Sequence, residues 1–351
     1  MLYLIKNTSV DQLLRDGEYQ LSHIKKEIPA NCFSISRARS WLTLARILVL
    51  TGMFIGLESL VDLHSDEGLL WKLPLLLLLW FLHGQTLMGL FVLGHDCGHG
   101  TFSKDPRLNS IVGHLCFSPL GTGLGNWTAT HNQHHAHTQK RGLPVDWSSR
   151  LLTRAEFERT SWKNDFAIRL GYLLPFGIFY WVWLNAVQRG SMRKATPAIR
   201  GSNLVMWSVM LAIYVSLWYF AGAWPMFKYH GIPAFIAMVT GYFVLIIQHA
   251  GDETVWYEEK TWSPVKGQLA ATFDVRFPRW LEWLWLDINI HIPHHVSPNI
   301  PWYNLREASQ AIKGKFPQLY QERRMTLRDL TWLLRTPFIR HVPSEGVYRL
   351  K

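Results

Sequence analysis

Four blocks of this chain are apolar over the length a lipid bilayer demands: residues 42–61, 73–93, 204–224 and 231–248. A helix needs about 20 apolar residues to cross the hydrocarbon core. The second block, opening LPLLLLLWFLHG at Leu73, is the clearest. Arg46 stands near the start of the first, where a long cationic side chain can snorkel to the interface. The expected fold is therefore all-α and integral to the membrane, with four transmembrane helices. A fifth apolar block, 170–187, contains Gly171, Pro175 and Gly177.

Charge orients the spans. The chain carries a net charge of +11, which invites a nucleic-acid partner as the first thought. The basic residues are spread over the segments between apolar blocks, so the membrane surface is the better account and no nucleic acid is expected. Residues 1–41, 94–203 and 249–351 hold 33 of the 36 Lys and Arg residues, and Lys72 and Lys228 alone fall on the other side. The basic side is expected to be cytoplasmic. If 170–187 also crossed, Arg189, Arg193, Lys194 and Arg200 would lie outside. That block is therefore expected to be interfacial or re-entrant. The 18 Trp residues suit bilayer interfaces. Three cysteines, Cys32, Cys97 and Cys116, make no disulfide framework and fit a reducing compartment. The acidic, polar first forty residues read as neither a secretory signal nor a transit peptide. The expected location is a bacterial cytoplasmic membrane, crossed several times. The expected domains are a cytoplasmic segment over 1–40, a main domain over 41–315 and a cytoplasmic tail over 316–351.

Half of the 16 histidines fall into three tight clusters: His95-Asp-Cys-Gly-His99, His131-Asn-Gln-His134-His135 and His291-Ile-Pro-His294-His295. Positions i, i+3 and i+4 share one face of a helix, so each cluster can aim two or three imidazoles at one point. Eight imidazoles suit two metals with open coordination positions. His95 directly follows the second span, and in a four-span arrangement all three clusters lie on one side, close to the membrane. Imidazole suits zinc, copper, iron and nickel. A hydrolytic zinc site usually pairs its histidines with a catalytic Glu, and none of the clusters contains one. Oxygen chemistry on iron is the natural use of so many neutral nitrogen ligands.

At these residues the chain resembles the membrane fatty acid desaturases, whose boxes read H-x3-H, H-x2-H-H and H-x2-H-H. GHDCGHGTFSKD (94–105), HHAHTQKRGLPVDW (134–147) and DINIHIPHHVSPNIPWYNLR (287–306) look like the plastid and cyanobacterial Δ12 (omega-6) acyl-lipid branch. The resemblance covers about 69–315. It implies that His95, His99, His131, His134, His135, His291, His294 and His295 ligate two non-haem irons in a cytoplasmic, histidine-rich di-iron cap. It adds His249, just after the last span. It further implies O2 as co-substrate, a membrane lipid or fatty acyl substrate, and removal of two hydrogens from adjacent methylenes. No segment remains for a fused haem module, so electrons are expected from an external ferredoxin-like or b5-like donor, an acidic ferredoxin being suited to the basic face.

Other residues carry weaker expectations. Asp96, Asp146, Asp252 and Asp287 stand near the histidines, and Asp287, four residues before His291, is the best candidate to bond a ligand imidazole, the alternative being a solvated loop acid. His137 is expected to be a neighbour, His83 a histidine hydrogen-bonded between helices, Cys97 a packing residue, and Pro293 a first-turn proline. His114 has no assigned role. The rivals are a hydroxylase, acetylenase or ketolase on the same scaffold, and a histidine-rich metal transporter. Transporter sites lie near the bilayer midplane, whereas these clusters lie at span ends and in loops.

Overall fold

In a computed structural model the described residues are 10–16, 19–63, 68–142, 151–163, 169, 195–250, 254–329 and 338–351. Four helices are long and apolar enough to cross a membrane, as expected. The first, α1 (Arg37–Ser59), is capped by Ser36, whose hydroxyl accepts from the Arg39 N–H. The second, α2 (Leu69–Gly98), has 30 residues, about 45 Å, and is longer than the roughly 30 Å hydrocarbon core. Two shorter helices follow, α3 (Pro106–Phe117), with Asp105 as cap and proline at its first turn, and α4 (Leu124–Ala136). The third span is α5 (Pro197–Ala221), capped by Thr196. The fourth covers Ala223–His249 and consists of a short helix, a π-helical turn over Phe227–Gly231, and α6 (Ile232–His249). The fifth apolar block, 170–187, lies outside the described residues.

The most enclosed span is α2, and α5 is the least. Leu87, Met88, Leu90, Val92 and Leu93 of α2 pack with Phe243, Val244 and Ile247 of α6 and with Trp285, Leu286 and Ile288 from the segment beyond it. A separate core assembles the polar end. Leu14, Ile24, Ile28 and Cys32 join Tyr257, Leu269, Ile290, Ile292, Val296, Leu305, Ile312 and Val347. Thus the N-terminal stretch, the region after α6 and the last residues share one apolar interior. Here α7 (Ile292–Val296) and α8 (Leu305–Lys315) pack together.

The fold is mostly helical, but among the described residues five short strands accompany the helices. They are β1 (Val255–Tyr257), β2 (Asp274–Arg276), β3 (Glu322–Arg324), β4 (Ile339–Val342) and β5 (Val347–Leu350). The order β1-β5-β4 is antiparallel, and β2 pairs parallel with β3. Runs of three or four residues are too short to leave an alternating signature. They tie the C-terminal stretch to the segment between the fourth span and the third histidine cluster.

One polar group sits deep among the spans. Glu58 of α1 faces His83 of α2, with Oε1 3.0 Å from Nδ1, and both residues are buried. Nearby, the Lys228 ammonium donates to the Val61 carbonyl at 2.6 Å. This is the interhelical histidine that the sequence suggested.

Candidate metal centre

Four helices deliver nine imidazoles to one place. His95 occupies the last turn of α2 and His99 caps it. His131, His134 and His135 lie on the last turns of α4, and His249 is the final residue of α6. His291 is the N-cap of α7, Pro293 is in its first turn, and His294 and His295 follow. Gly98 permits the approach of α2 to α4, because a Cβ there would stand 2.6 Å from the Trp127 ring.

The histidines sort into two groups whose ligand atoms lie within 4.8 Å of one another. Group one is His95, His99, His131 and His294; group two is His134, His249, His291 and His295. The first cluster aims both its imidazoles at one group, as expected, and the third aims two, while the second and third clusters each also send a histidine to the other group. On a helix, i+4 lies about 40° to one side of i, while i+3 lies about 60° to the other. The i, i+4 pair His291 and His295 enters group two, and His294 crosses into group one. In the second cluster the exchange is reversed: His131 is in group one and His134 in group two. His135 has its Nε2 3.1 Å from His131 Nε2, and its ring centroid is 4.3 Å from that of His295, so it borders both groups.

The Nε2 atoms face one another. Within group one, His95 is 3.1 Å from His294 and 3.2 Å from His131. Within group two, His134 is 3.2 Å from His249 and from His295, His249 is 2.9 Å from His291, and His291 is 3.0 Å from His295. Several of these nitrogens carry no hydrogen. His249 Nδ1 lies 3.1 Å from the Ala271 carbonyl and His295 Nδ1 2.6 Å from Gln268 Oε1. Such oxygens only accept, so Nδ1 holds the proton and Nε2 presents a lone pair. Converging lone pairs repel unless a cation lies among them. His99 Nε2 is buried with no hydrogen-bond partner, as a ligand nitrogen would be. The spacing also agrees. With metal–nitrogen bonds of about 2.1 Å, neighbouring ligands stand roughly 3.0 Å apart at right angles and roughly 3.4 Å apart in a tetrahedron. The observed edges of 2.9–3.2 Å fall in the range expected of imidazoles that share an ion.

Burial, and then the repulsion of neighbouring imidazolium charges, pushes His99, His131, His135, His291, His294 and His295 well below the ordinary histidine range. All six are thereby held neutral, the form that ligates.

The supporting residues are partly those expected. Asp96 Oδ1 lies 3.3 Å from His95 Nδ1, and its Oδ2 accepts from the Trp302 N–H. Asp287 does not meet a histidine in the observed contacts. Its carboxylate pairs with Arg306 at 2.5 Å and faces Arg279 at 3.4 Å, which corrects the expectation. Asp287 and Leu286 both have φ of 54°, and that left-handed turn directs the carboxylate away from α7. The carboxylate that serves this helix is Asp274, on β2. Its Oδ1 accepts from the His291 and Ile292 N–H groups at 2.7 and 2.9 Å, and its Oδ2 accepts from Tyr320. Sequence reading missed Asp274, which lies 17 residues away, and also Gln268. Asp146 and Asp252 lie outside the described residues.

An apolar wall leads from α2 to group one. Trp127 stacks on His131 at 4.3 Å, and Phe117 and Phe91 pack behind it at 4.9 and 6.2 Å. Phe91 also lines an apolar crevice with Leu120, Ala237, Met238 and Gly241. The remaining histidines have other surroundings. His137 packs against Trp262, and His114 bonds the Ser110 carbonyl and the Ser202 hydroxyl. Cys97 is buried in the core, as expected of a packing residue.

Comparison with known proteins agrees with this geometry. The family model described as fatty acid desaturase matches residues 69–326. The chain is 28% identical to the sn-1 oleoyl-lipid 12-desaturase of Synechocystis sp., over 91% of this chain and 87% of that protein. It is 29% identical to the sn-1 oleoyl-lipid 12-desaturase of Anabaena variabilis, over 88% of this chain and 86% of that protein. It is 32% identical to a temperature-sensitive sn-2 acyl-lipid omega-3 desaturase (ferredoxin), chloroplastic, of Arabidopsis thaliana, over 87% of this chain and 69% of that protein.

Proposed function

The chain belongs to the fatty acid desaturase family, and on that premise we propose that it inserts a double bond at Δ12 of an acyl chain carried by a membrane glycerolipid, using two irons. The broader statement is plain: this is an oxidoreductase that desaturates fatty acyl chains. Similarity to oleoyl-lipid 12-desaturases over nearly their whole length supports the Δ12 assignment. The convergence of two sets of Nε2 lone pairs at the ends of two spans is the observation that carries the di-iron reading.

His95, His99, His131 and His294 would hold one iron; His134, His249, His291 and His295 would hold the other; His135 would ligate at their boundary. When bound, the non-haem pair would supply an O2-dependent oxidation in which adjacent methylenes lose two hydrogens, two electrons arrive from outside the chain with two protons, and O2 leaves as two waters. The chain's own residues do the rest. Asp96, Gln268 and the Ala271 carbonyl hold imidazole rings in the tautomer that frees Nε2. Trp127, Phe117 and Phe91 form the apolar surface along which an acyl chain is placed, and they keep water from group one. The donor is read as ferredoxin-like, docking on the basic aqueous face, with that face cytoplasmic. Residues 41–315 are read as the catalytic portion, flanked by 1–40 and 316–351.

The test is expression in a bacterium whose lipids contain only saturated and monounsaturated chains, with double bonds mapped by gas chromatography and mass spectrometry. Dienoic chains with a new Δ12 bond are expected. Products heavier by one oxygen would establish the hydroxylase instead, and a new bond placed from the methyl end would move the enzyme to the omega-3 type.

A further inference from the structure

We infer that Gln268 is a positioning residue for group two, and that it sets the tautomer of His295 through a relay anchored on the second histidine cluster. This inference rests on the di-iron reading. Gln268 is 3% exposed and lies in a π-helical turn, Lys266–Ala270, packed against the end of α4. Such turns recur at functional sites because they displace one residue from the regular helical face. The docking is close. A Cβ at Gly267 would stand 2.7 Å from the Thr138 carbonyl, which also accepts from the Trp262 indole at 2.9 Å.

The chemistry runs in one direction. The Gln268 amide donates through Nε2 to the His135 carbonyl, which can only accept. That contact fixes which end of the amide is nitrogen. Oε1 is thereby turned toward His295 Nδ1, 2.6 Å away, and also accepts from the Thr138 hydroxyl at 3.3 Å. A carbonyl oxygen beside Nδ1 requires the imidazole proton to sit there. His295 Nε2 is then the free lone pair among His134 and His291, at 3.2 and 3.0 Å. The same turn ends at Ala271, whose carbonyl faces His249 Nδ1 at 3.1 Å. Six residues, 266–271, thus orient two of the four group-two imidazoles. The observed partner of a group-one imidazole, His95, is instead the carboxylate of Asp96. Two ring nitrogens of group two thus rest on neutral oxygens, whereas that of His95 in group one faces a carboxylate.

The experiment is anaerobic titration of the full-length protein in detergent with ferrous iron against a chelator, with 57Fe Mössbauer spectra of the loaded forms. Wild type binds two irons. Gln268→Leu weakens one of them by about 10–100-fold and leaves the other unchanged. Gln268→Glu, which keeps an acceptor at His295, recovers most of that loss and shifts the spectrum of one iron only. Wild-type affinity for both irons in Gln268→Leu, or equal weakening of both, overturns the inference. If Gln268→Leu does not fold, an unchanged spectrum for Gln268→Glu overturns it. Fewer than two irons in the wild type is a different failure and removes the di-iron reading itself.

Discussion

His249 Nε2 and His291 Nε2 lie 2.9 Å apart, although 42 residues separate them. One ends a transmembrane helix and the other opens a five-residue helix at the polar end. The metal group is thus assembled from a span and from the segment folded over it.

That assembly makes His249 as necessary as any histidine of the three clusters. His249→Ala and His295→Ala should each lower bound iron from about two per chain to about one and abolish desaturation. Membrane insertion should be unaffected, because the spans enter through their own apolarity. His341→Ala should keep both irons, since that side chain sits on β4 beside Glu258, 2.7 Å away. Iron analysis of detergent-purified variants checks this; full iron content in His249→Ala would remove it from the ligand set.

Acid should destabilise the iron-free protein. Six imidazoles have folded pKa values well below 6.5, so below pH 6.5 the unfolded chain takes up protons that the folded chain refuses. Their contribution is complete above about pH 6.5 and falls below it by at most about 1.4 kcal/mol per group per pH unit. Asp274 and Asp287, both raised to about 6 chiefly by burial, act oppositely, favouring the folded state as pH falls from 6 toward the ordinary carboxylate range. Six groups outweigh two, so the unfolding temperature should drop between pH 7 and pH 5. Iron should reduce the drop, because the metal binds only the neutral rings. Thermal scans with and without iron measure both effects.

Asp274→Ala strands two buried N–H groups at the start of α7 and the hydroxyl of Tyr320. A loss of about 2–4 kcal/mol is expected from such orphaned partners. Asp274→Asn should lose less, because an amide oxygen still accepts from His291 and Ile292. The order alanine below asparagine below wild type, read from unfolding temperature and iron content together, is the check.

Within the spans, Glu58 and His83 should be coupled. His83→Leu leaves a buried carboxyl without its partner at a cost of about 3–5 kcal/mol, whereas replacing both by leucine should recover most of that loss. A double-mutant cycle on unfolding temperature gives the coupling. Because His83 lies twelve residues before His95, about 18 Å along α2, the double variant should retain both irons.

Much of this was legible in the sequence. The four spans are continuous apolar runs, and the three clusters name their own residues. The division of those clusters was not legible, since i+3 and i+4 look equivalent in a motif yet point to opposite sides of i. His249 stands alone in sequence and entered only through resemblance. Asp274 and Gln268 were missed because their partners are backbone groups and a ring nitrogen on other elements, contacts that no spacing encodes. Asp287, nearer in sequence, was the more obvious choice until its left-handed turn sent it to Arg306.

The run of α2 from Pro74, the proline inside this helix, to His95 has a mechanical consequence. Past that proline the helix is a rod of about 32 Å that ends at His95. A change in tilt of two degrees carries its far end by roughly 1 Å, and helices accommodate bilayer thickness by tilting. Lipid thickness and ligand position are therefore linked variables. An enzyme that alters the acyl chains around it also alters the lever arm that positions its own first histidine. Turnover in vesicles of graded thickness should pass through an optimum rather than follow substrate supply alone.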